Sequence, residues 1–348
     1  MVLSKKKAPI SLYIAIVLLC TIAMVTYTFP ESLDITDYYE KAVMEAASGL
    51  DLKEYVQTTI AKYVDFIYHT ILFLSVRNGI PMNLASIIIL SVYYIAIIGI
   101  IWSYFAGSRV ETHVFVYSIL ACPFIWVQEV PRTLTAIIFL YFAIHMLLKK
   151  HKKKHALLFL VLAFFSHAGS TVFFMICIIG GFLFKKLDIS KTIQIVILIV
   201  VFLIALIAPR GITLFAMGLV SGMDNHYAVY SSIEIGGLFS YSSIGYGDRI
   251  SSVMIYVYSL FLIFVTKQKD SLYWIFYSLC VFNTFCIVTN YSLFIRLAMI
   301  LPLFLAYNAM MIERDCTAGN KKSLSVISRI GLLVVFVEFY FYRNLYAL

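Results

Sequence analysis

The sequence predicts an all-α membrane protein that crosses a lipid bilayer about eleven times. Of its 348 residues, 62% are hydrophobic and 13% are charged, and the mean hydropathy is +0.93. Soluble chains carry about 25% charged residues. The apolar residues form runs of about 16 to 25, close to the length that a helix needs to cross roughly 30 Å of hydrocarbon. The runs do not alternate as barrel strands would, so helices are the predicted elements.

The basic residues mark one side of this single membrane domain, which spans residues 1–348. They cluster at 5–7, 149–155, 185–191, 267–269 and 314–329. Cytoplasmic loops of membrane proteins are enriched in lysine and arginine, so all five clusters and the N-terminus are predicted to be cytoplasmic. The net charge of +9 then reflects orientation in the membrane and does not indicate nucleic-acid binding.

The crossings follow from this orientation, because an even number of them must separate successive cytoplasmic clusters. Counting 65–78 as a crossing would put the 149–155 cluster outside, so 65–78 is predicted to be an amphipathic helix on the outer surface. Residues 156–184 have lysines at both ends and are predicted to form a hairpin with its apex at 166–170. The predicted crossings are 9–29, 82–106, 113–128, 132–148, the two arms of 156–184, 192–208, 251–266, 271–289, 293–311 and 327–343.

The outer face is predicted to carry the chemistry. It holds a first loop of about residues 30–80, a larger second loop of about 209–250 and the hairpin apex, whereas the cytoplasmic loops are short and basic. The chain has no P-loop, GxGxxG, HExxH or GxSxG motif and no aspartate-rich pair, so nucleotide, zinc and serine-esterase mechanisms lose support. No cofactor or metal is predicted.

Two arginines at helix starts are the principal candidate anion-binding residues. Arg132 follows Pro131, where the positive end of the helix dipole opposes a cation but favours an anion held by the guanidinium and the free N–H groups. Arg296 lies within an apolar run, where a charge is costly and usually faces a polar cavity or a partner.

The second loop contributes Arg210 and Arg249 as further candidates. The simpler alternative for the outer arginines is that they reach lipid headgroups or pair with Glu129 and Asp248.

His167 lies at the predicted hairpin apex, between Ser166 and Ser170. One interpretation is a histidine that caps the turn. The other is a neutral base or hydrogen-bond donor in a buried site, since the pKa of a histidine lies near working pH.

Residues 131–175 begin with Arg132 and the small residue Ala136, continue through the lysines of 149–154, and end a short apolar segment with His167 and Ser170. This arrangement resembles the EpsG family of Wzy-type polysaccharide polymerases, and Arg296 at the start of a late helix is a second similarity. The chain departs from the family in reading Arg-Thr-Leu-Thr at 132–135, where Arg-Gln followed by Gly or Ser is frequent. The proline-containing acidic motif of the first loop is not visible either.

The resemblance implies a GT-C-type glycosyltransferase of the bacterial inner membrane. It would transfer a growing glycan from undecaprenyl pyrophosphate onto another lipid-linked repeat unit at the outer face, without a metal. A flippase and a chain-length regulator are implied as partners, besides membrane lipid. Arg132 and His167 would be catalytic, and substrate would contact Arg296, Arg210, Arg249, Glu129, Asp248 and Ser170.

Three other functions are compatible with the sequence. A GT-C transferase that uses a polyprenyl-monophosphate sugar would take Asp34 or Asp37 of the first loop as its base. A flippase for lipid-linked oligosaccharides would line a path through the whole membrane with cations. An O-acyltransferase would need a cytoplasmic entry for acyl-CoA, and the cytoplasmic loops are short.

Overall fold

The structure is a computed structural model, which describes residues 34–121, 131–207, 246–267, 269–289, 291–318 and 322–337. In this part of the chain 87% of the residues are helical and none is in a β-strand, which confirms the predicted all-α class. The helices are α1 (Asp34–Ala47), α2 (Leu52–Lys62), α3 (Phe66–Arg77), α4 (Met82–Phe105), α5 (Val114–Leu120), α6 (Pro131–Leu148), α7 (Lys153–Ser166), α8 (Ala168–Leu187), α9 (Lys191–Ile207), α10 (Tyr246–Val265), α11 (Ser271–Thr289), α12 (Tyr291–Ala298), α13 (Leu301–Ala318) and α14 (Lys322–Val337), with a 3₁₀ turn at Glu111–His113.

Three of the described helices, α4, α8 and α11, are long and apolar enough to cross a bilayer. Helix α4 has 24 residues, or about 36 Å of helix against roughly 30 Å of hydrocarbon. Shorter apolar helices cover 66–77, 132–148, 191–207, 253–265 and 323–337. Large aliphatic side chains are exposed along α9 and α14, as on a surface that faces lipid tails. These helices are consistent with a membrane protein. The predicted crossing 9–29, residues 122–128 of the predicted crossing 113–128 and residues 209–245 of the second loop lie outside the described residues.

The hairpin lies where the lysine clusters place it, although its arms extend beyond the predicted 156–184. Helix α7 ends at Ser166 and α8 begins at Ala168, so His167 alone joins the two arms. Helix α7 also packs antiparallel to α6, with the Phe142 and Phe159 rings 5.4 Å apart. The start of α6, the end of α7 and the start of α8 therefore meet at one end of the bundle, which we call the arginine end after Arg132.

Most of the basic clusters meet at the opposite end, which we call the lysine end. The Lys149 ammonium lies 4.9 Å from the centre of the Tyr104 ring, and that ring contacts Tyr307 at 5.2 Å. The Tyr307 hydroxyl donates to Asp270. The next residue, Ser271, accepts a hydrogen bond from Lys185 Nζ at 2.8 Å, and further along Arg314 lies 5.8 Å from the Phe105 ring. These contacts bring together four sequence regions, 149–155, 185–191, 269–271 and 314, that the charge pattern assigns to one side.

Helices α1, α2 and α3 form a cap over the arginine end. Helix α1 packs against α3 and α4, and the Tyr39 hydroxyl donates to the Ile80 carbonyl at 2.6 Å. Helix α3 also packs against α7, where the Phe66 and Phe165 rings are 5.1 Å apart. Helix α3 has 12 residues, about 18 Å of helix, which is too short to cross the roughly 30 Å of a bilayer core. The predicted first loop is therefore a helical layer.

The predicted crossing 293–311 is interrupted in the structure. Helix α12 ends at Ala298 and α13 begins at Leu301, because Pro302 cannot donate the hydrogen bond that would continue the helix. The Tyr141 hydroxyl donates to the Ile300 carbonyl at 2.9 Å and lies 3.5 Å from the Leu303 amide nitrogen, which donates to it. Tyr93 donates to the Met299 carbonyl at 3.3 Å. Two buried tyrosines thus satisfy the backbone groups that the break leaves open.

Candidate functional site

A buried ion pair lies at the arginine end of the bundle. Pro131 opens α6, and Arg132 is its second residue. The Arg132 guanidinium donates from Nη1 to Asp65 Oδ2 at 2.6 Å. Arg132 is 8% exposed and Asp65 is 1% exposed. Charge-assisted hydrogen bonds of this length are among the strong ones in proteins, so Asp65 holds the orientation of Arg132.

Asp65 occupies the position before α3, yet it does not cap that helix. An aspartate there normally accepts a hydrogen bond from a backbone N–H group of the first turn. The Asp65 side chain makes no such bond and turns to Arg132 instead. Within the described part of the chain its second oxygen, Oδ1, makes no hydrogen bond.

Aromatic rings of the cap line this ion pair. The Arg132 guanidinium lies 4.5 Å from the centre of the Tyr38 ring, within the range of a cation–π contact. Tyr38 in turn meets His69 edge to face at 5.4 Å, and Tyr63 stacks on His69 at 4.7 Å. The first-loop residues therefore divide between two faces of α1, because Tyr38 is buried in this wall whereas Asp37 is exposed.

His167 is buried, at 3% exposure, and caps α8. Its Nδ1 accepts a hydrogen bond from the Ser170 amide at 3.1 Å, and its carbonyl accepts one from the Thr171 hydroxyl at 3.0 Å. A neutral imidazole that accepts at Nδ1 carries its proton on Nε2. The predicted turn-capping geometry is thus present, and it leaves Nε2 as a hydrogen-bond donor. The Ser170 hydroxyl is buried and has no hydrogen-bond partner among the described residues.

The other predicted site residues lie apart from the ion pair or outside the described residues. Arg296 is on α12, partly buried and two residues before the end of that helix at Ala298. Helix α12 packs against α8, the helix that His167 caps. Glu129 and Arg210 lie outside the described residues, and Asp248 and Arg249 belong to α10 with no described side-chain position.

The described residues contain no group of three or more His, Cys, Asp or Glu side chains that could hold a metal ion. The four cysteines in this part of the chain are free and buried. At the arginine end, the described functional groups are the ion pair of Arg132 and Asp65, the imidazole of His167, aromatic rings and hydroxyl groups.

Asp65 and Tyr141 are the residues whose importance only the structure shows. Asp65 carried a signal, because a carboxylate inside an apolar segment needs a partner. Pro302 likewise signalled the helix break, where Tyr141 makes hydrogen bonds to the backbone. Neither signal names the partner, because the contacts join Asp65 to a residue 67 positions away and Tyr141 to one 159 positions away.

Comparison of the chain with protein-family models, curated proteins and solved structures found no match.

Proposed function

We propose that this chain is a polysaccharide polymerase of the bacterial inner membrane. It transfers a glycan from undecaprenyl pyrophosphate onto another lipid-linked repeat unit at the outer face. The observation that carries the proposal is the buried pair of Arg132 and Asp65, which lies under an aromatic cap at the end of the bundle where the 156–184 hairpin turns.

The chemistry of the leaving group supports this reading. A departing lipid pyrophosphate gathers negative charge in the transition state, and a guanidinium in a water-poor site stabilises that charge strongly. One terminal nitrogen of Arg132 contacts Asp65. A guanidinium carries its N–H donors in a planar fork, a geometry that suits phosphate oxygens. The reaction needs no metal in this scheme.

The aromatic residues of the cap are suited to binding the sugar part of the substrate. Tyr38, Tyr63 and His69 form a wall of stacked and edge-to-face rings next to the ion pair. Aromatic rings with polar groups beside them suit the apolar faces and hydroxyl groups of a sugar. His167 Nε2, as a donor, would orient an acceptor hydroxyl, and Arg296 would be a second pyrophosphate ligand.

The lysine end of the bundle supports the proposed orientation of the protein in the membrane. The lysine clusters gather at the end opposite Arg132, so the positive-inside rule favours a cytoplasmic lysine end. The lysines at 5–7 favour the same side for the N-terminus. The arginine end then faces outward, where lipid-linked repeat units are polymerised in the mechanism that the EpsG resemblance implies.

A transferase that uses a polyprenyl-monophosphate sugar is the second candidate. The buried carboxylate in the first outer segment favours it, and Asp65 would take the role that the sequence suggested for Asp34 or Asp37. A flippase finds less support, because Arg132 is the one lysine or arginine that is buried among the residues described, and it lies at one end of the bundle.

The test uses purified protein in detergent and an undecaprenyl-pyrophosphate oligosaccharide repeat unit from its own host, with the products separated on a gel. Wild-type protein should give a ladder of multiples. Arg132→Lys retains a charge for Asp65 but loses the planar fork, so it should weaken the ladder strongly. Arg77→Lys is the matched control, because Arg77 is exposed at the end of α3.

A single unchanged band from folded wild-type protein with the correct substrate would refute the polymerase. The monophosphate-sugar substrate would then be the next to assay. Equal ladders from Arg132→Lys and the wild type would remove Arg132 from the site.

A further inference from the structure

Two carboxylates are buried among the described residues, and their surroundings differ. Glu313 accepts a hydrogen bond from Tyr117 at 2.9 Å and further bonds from Ser325 and Arg329, so both of its oxygens are engaged. Among the residues that the structure describes, Asp65 is engaged through Oδ2 alone. The hydrogen bonds of Glu313 are typical of a residue that holds helices together. Asp65 differs because its Oδ1 makes no hydrogen bond to the described residues.

Stability alone does not explain the orientation of Asp65. Asp51 occupies the equivalent position before α2 and forms a complete capping box there: it accepts from the Glu54 amide at 2.8 Å, while its own amide donates to Glu54 at 3.0 Å. Such a cap stabilises a helix by about 1 kcal/mol. Asp65 forgoes that bond, and burying it with Arg132 brings little net stability once both charges have lost water.

The ion pair is well placed to exchange one anion for another. Arg132 binds carboxylate and phosphate through the same N–H groups, so a pyrophosphate that reaches it competes with Asp65. When the pyrophosphate takes over the guanidinium, the Asp65 carboxylate is left next to the reacting centre without its counter-charge. An unpaired carboxylate in a buried site has a strong tendency to take up a proton.

We propose that Asp65 is the general base of the transfer and that pyrophosphate binding at Arg132 releases it for that role. This inference rests on the proposed function. The acceptor hydroxyl gives its proton to Asp65 as its oxygen forms the new bond to the anomeric carbon of the donor glycan. The bond from that carbon to the phosphate oxygen breaks, and its electron pair leaves with undecaprenyl pyrophosphate, whose charge Arg132 holds.

His167 does not compete for this role in the observed geometry. Its Nδ1 is occupied by the Ser170 amide, so Nε2 carries the proton of the neutral ring and donates. Accepting a proton at Nε2 would require Nδ1 to give up the cap or to face a second donor. Asp65 and His167 therefore divide the work, the first as proton acceptor and the second as orienting donor.

The test is Asp65→Asn, measured by two readouts. Binding of undecaprenyl pyrophosphate without sugar is followed by native mass spectrometry, and transfer is followed in a single turnover of the lipid-linked repeat unit. Asp65→Asn should bind the lipid pyrophosphate more tightly, because no carboxylate competes for Arg132. It should transfer about 10²- to 10⁴-fold more slowly, the usual contribution of a general base.

Asp51→Asn is the matched control, since asparagine caps a helix as well as aspartate does. It should change neither readout. Transfer by Asp65→Asn within a few-fold of wild type would overturn the proposal, and so would a parallel loss of binding and transfer, which would mark Asp65 as a structural residue. If wild-type protein neither binds the lipid pyrophosphate nor forms ladders, the proposed function itself fails.

If Asp65→Asn does not fold, a charge swap tests the same proposal. The double variant Asp65→Arg with Arg132→Asp retains an ion pair between the same two positions. A purely structural pair would be restored by the swap, and transfer would return with the fold. The proposal expects a folded protein without transfer, so recovered activity would refute it.

Discussion

His167 is buried in the bundle, and one of its ring nitrogens is used in a hydrogen bond. The histidine caps α8 through Nδ1, a task that serine, threonine, aspartate and asparagine perform better in most proteins. A residue chosen for capping alone would thus be one of those four. The imidazole adds the Nε2 donor at the arginine end, which the simpler caps lack.

Two substitutions at His167 separate these contributions. His167→Ala removes the cap and should lower the free energy of unfolding by about 1 kcal/mol. His167→Asn restores a capping oxygen and should recover that stability while transfer stays low, because the Nε2 donor is absent. Thermal unfolding in detergent and the ladder assay provide the two measurements. Full activity in the asparagine variant would confine His167 to the cap.

At the residue scale, the sequence predicted Arg132 and His167 as special positions from their local context alone. Proline before an arginine at a helix start and a histidine between two lysine-flanked apolar arms are visible in one dimension. The choice of Asp65 as the partner of Arg132 is not, because Asp34, Asp37 and Glu129 were equally available by sequence. The packing of α3 on α7 decides it.

At the scale of single elements, the joint between α12 and α13 depends on Tyr141. Its hydroxyl both donates to the Ile300 carbonyl and accepts from the Leu303 amide. Tyr141→Phe leaves these buried backbone groups without a partner and should cost about 1–3 kcal/mol of unfolding free energy.

Tyr93→Phe is the comparison, because Tyr93 makes one longer bond to this joint. It should reduce the free energy of unfolding less than Tyr141→Phe does. Denaturation of both variants in the same detergent gives the order, and equal losses would show that the joint does not rely on the Tyr141 bridge.

Close contact between α8 and α11 depends on Gly181. A Cβ atom added there would lie 2.7 Å from the Ile275 Cα, so the helices would have to separate. At the neighbouring Gly180 the nearest atom is the Ser278 hydroxyl oxygen at 2.5 Å, the end of a side chain that can rotate. Gly181→Ala should therefore destabilise the protein more than Gly180→Ala does.

Gly99→Ala provides the control for that series. An added Cβ atom meets nothing within 4 Å there, and replacing glycine by alanine inside a helix stabilises it by about 0.5–1 kcal/mol. Melting temperatures of the three variants should rank Gly99→Ala highest and Gly181→Ala lowest. The reverse order for the two α8 variants would contradict the close helix contact.

Element lengths and the hairpin followed from the sequence because apolar runs and lysine clusters mark helix ends directly. In the cap, the helix predicted at 65–78 is present as α3. Helices α1 and α2 were not predicted, because short amphipathic helices and a loop of mixed composition look alike in sequence until their packing is known. The break at residues 299–300 could have been predicted only by taking Pro302 as the end of a helix, and proline is also compatible with a kinked but continuous helix. Its exact form depends on Tyr93 and Tyr141, which come from α4 and α6.

At the scale of the whole molecule, Glu313 joins α5, α13 and α14 at the lysine end, beyond the predicted crossing 293–311. Burial alone would raise the pKa of Glu313, but hydrogen bonds from Arg329, Ser325 and Tyr117 lower it below the ordinary value. A carboxyl with a lowered pKa stabilises the fold above its unfolded pKa, and this stability is lost as the pH falls through the folded pKa.

The unfolding temperature should therefore drop as the pH is lowered below about 4.5, the ordinary value for glutamate. Glu313→Gln should be less stable at neutral pH and should flatten that pH dependence. Parallel acid profiles of the variant and the wild type would show that other carboxyls dominate.

The orientation of the bundle is testable with two exposed lysines. Lys53 lies in the cap and Lys152 lies in the turn between α6 and α7. With Cys20 and Cys122 replaced by serine, a thiol reagent that does not cross membranes should label Lys53→Cys in intact spheroplasts. It should label Lys152→Cys only after permeabilisation. The opposite pattern would invert the arrangement and place the arginine end in the cytoplasm.

Under the proposed function, the cap over Arg132 also affects how readily the donor lipid binds. If the chain acts as proposed, the donor headgroup can reach the Arg132 guanidinium, which is 8% exposed, only when the cap that the hydrogen bond from Tyr39 to Ile80 holds in place moves aside. The apparent affinity for the donor falls by the fraction of molecules in which the cap is open, so each 1.4 kcal/mol that favours closure reduces loading about tenfold. Under the proposed function, the hydrogen bond from Tyr39 to Ile80 would then set how often a new transfer begins.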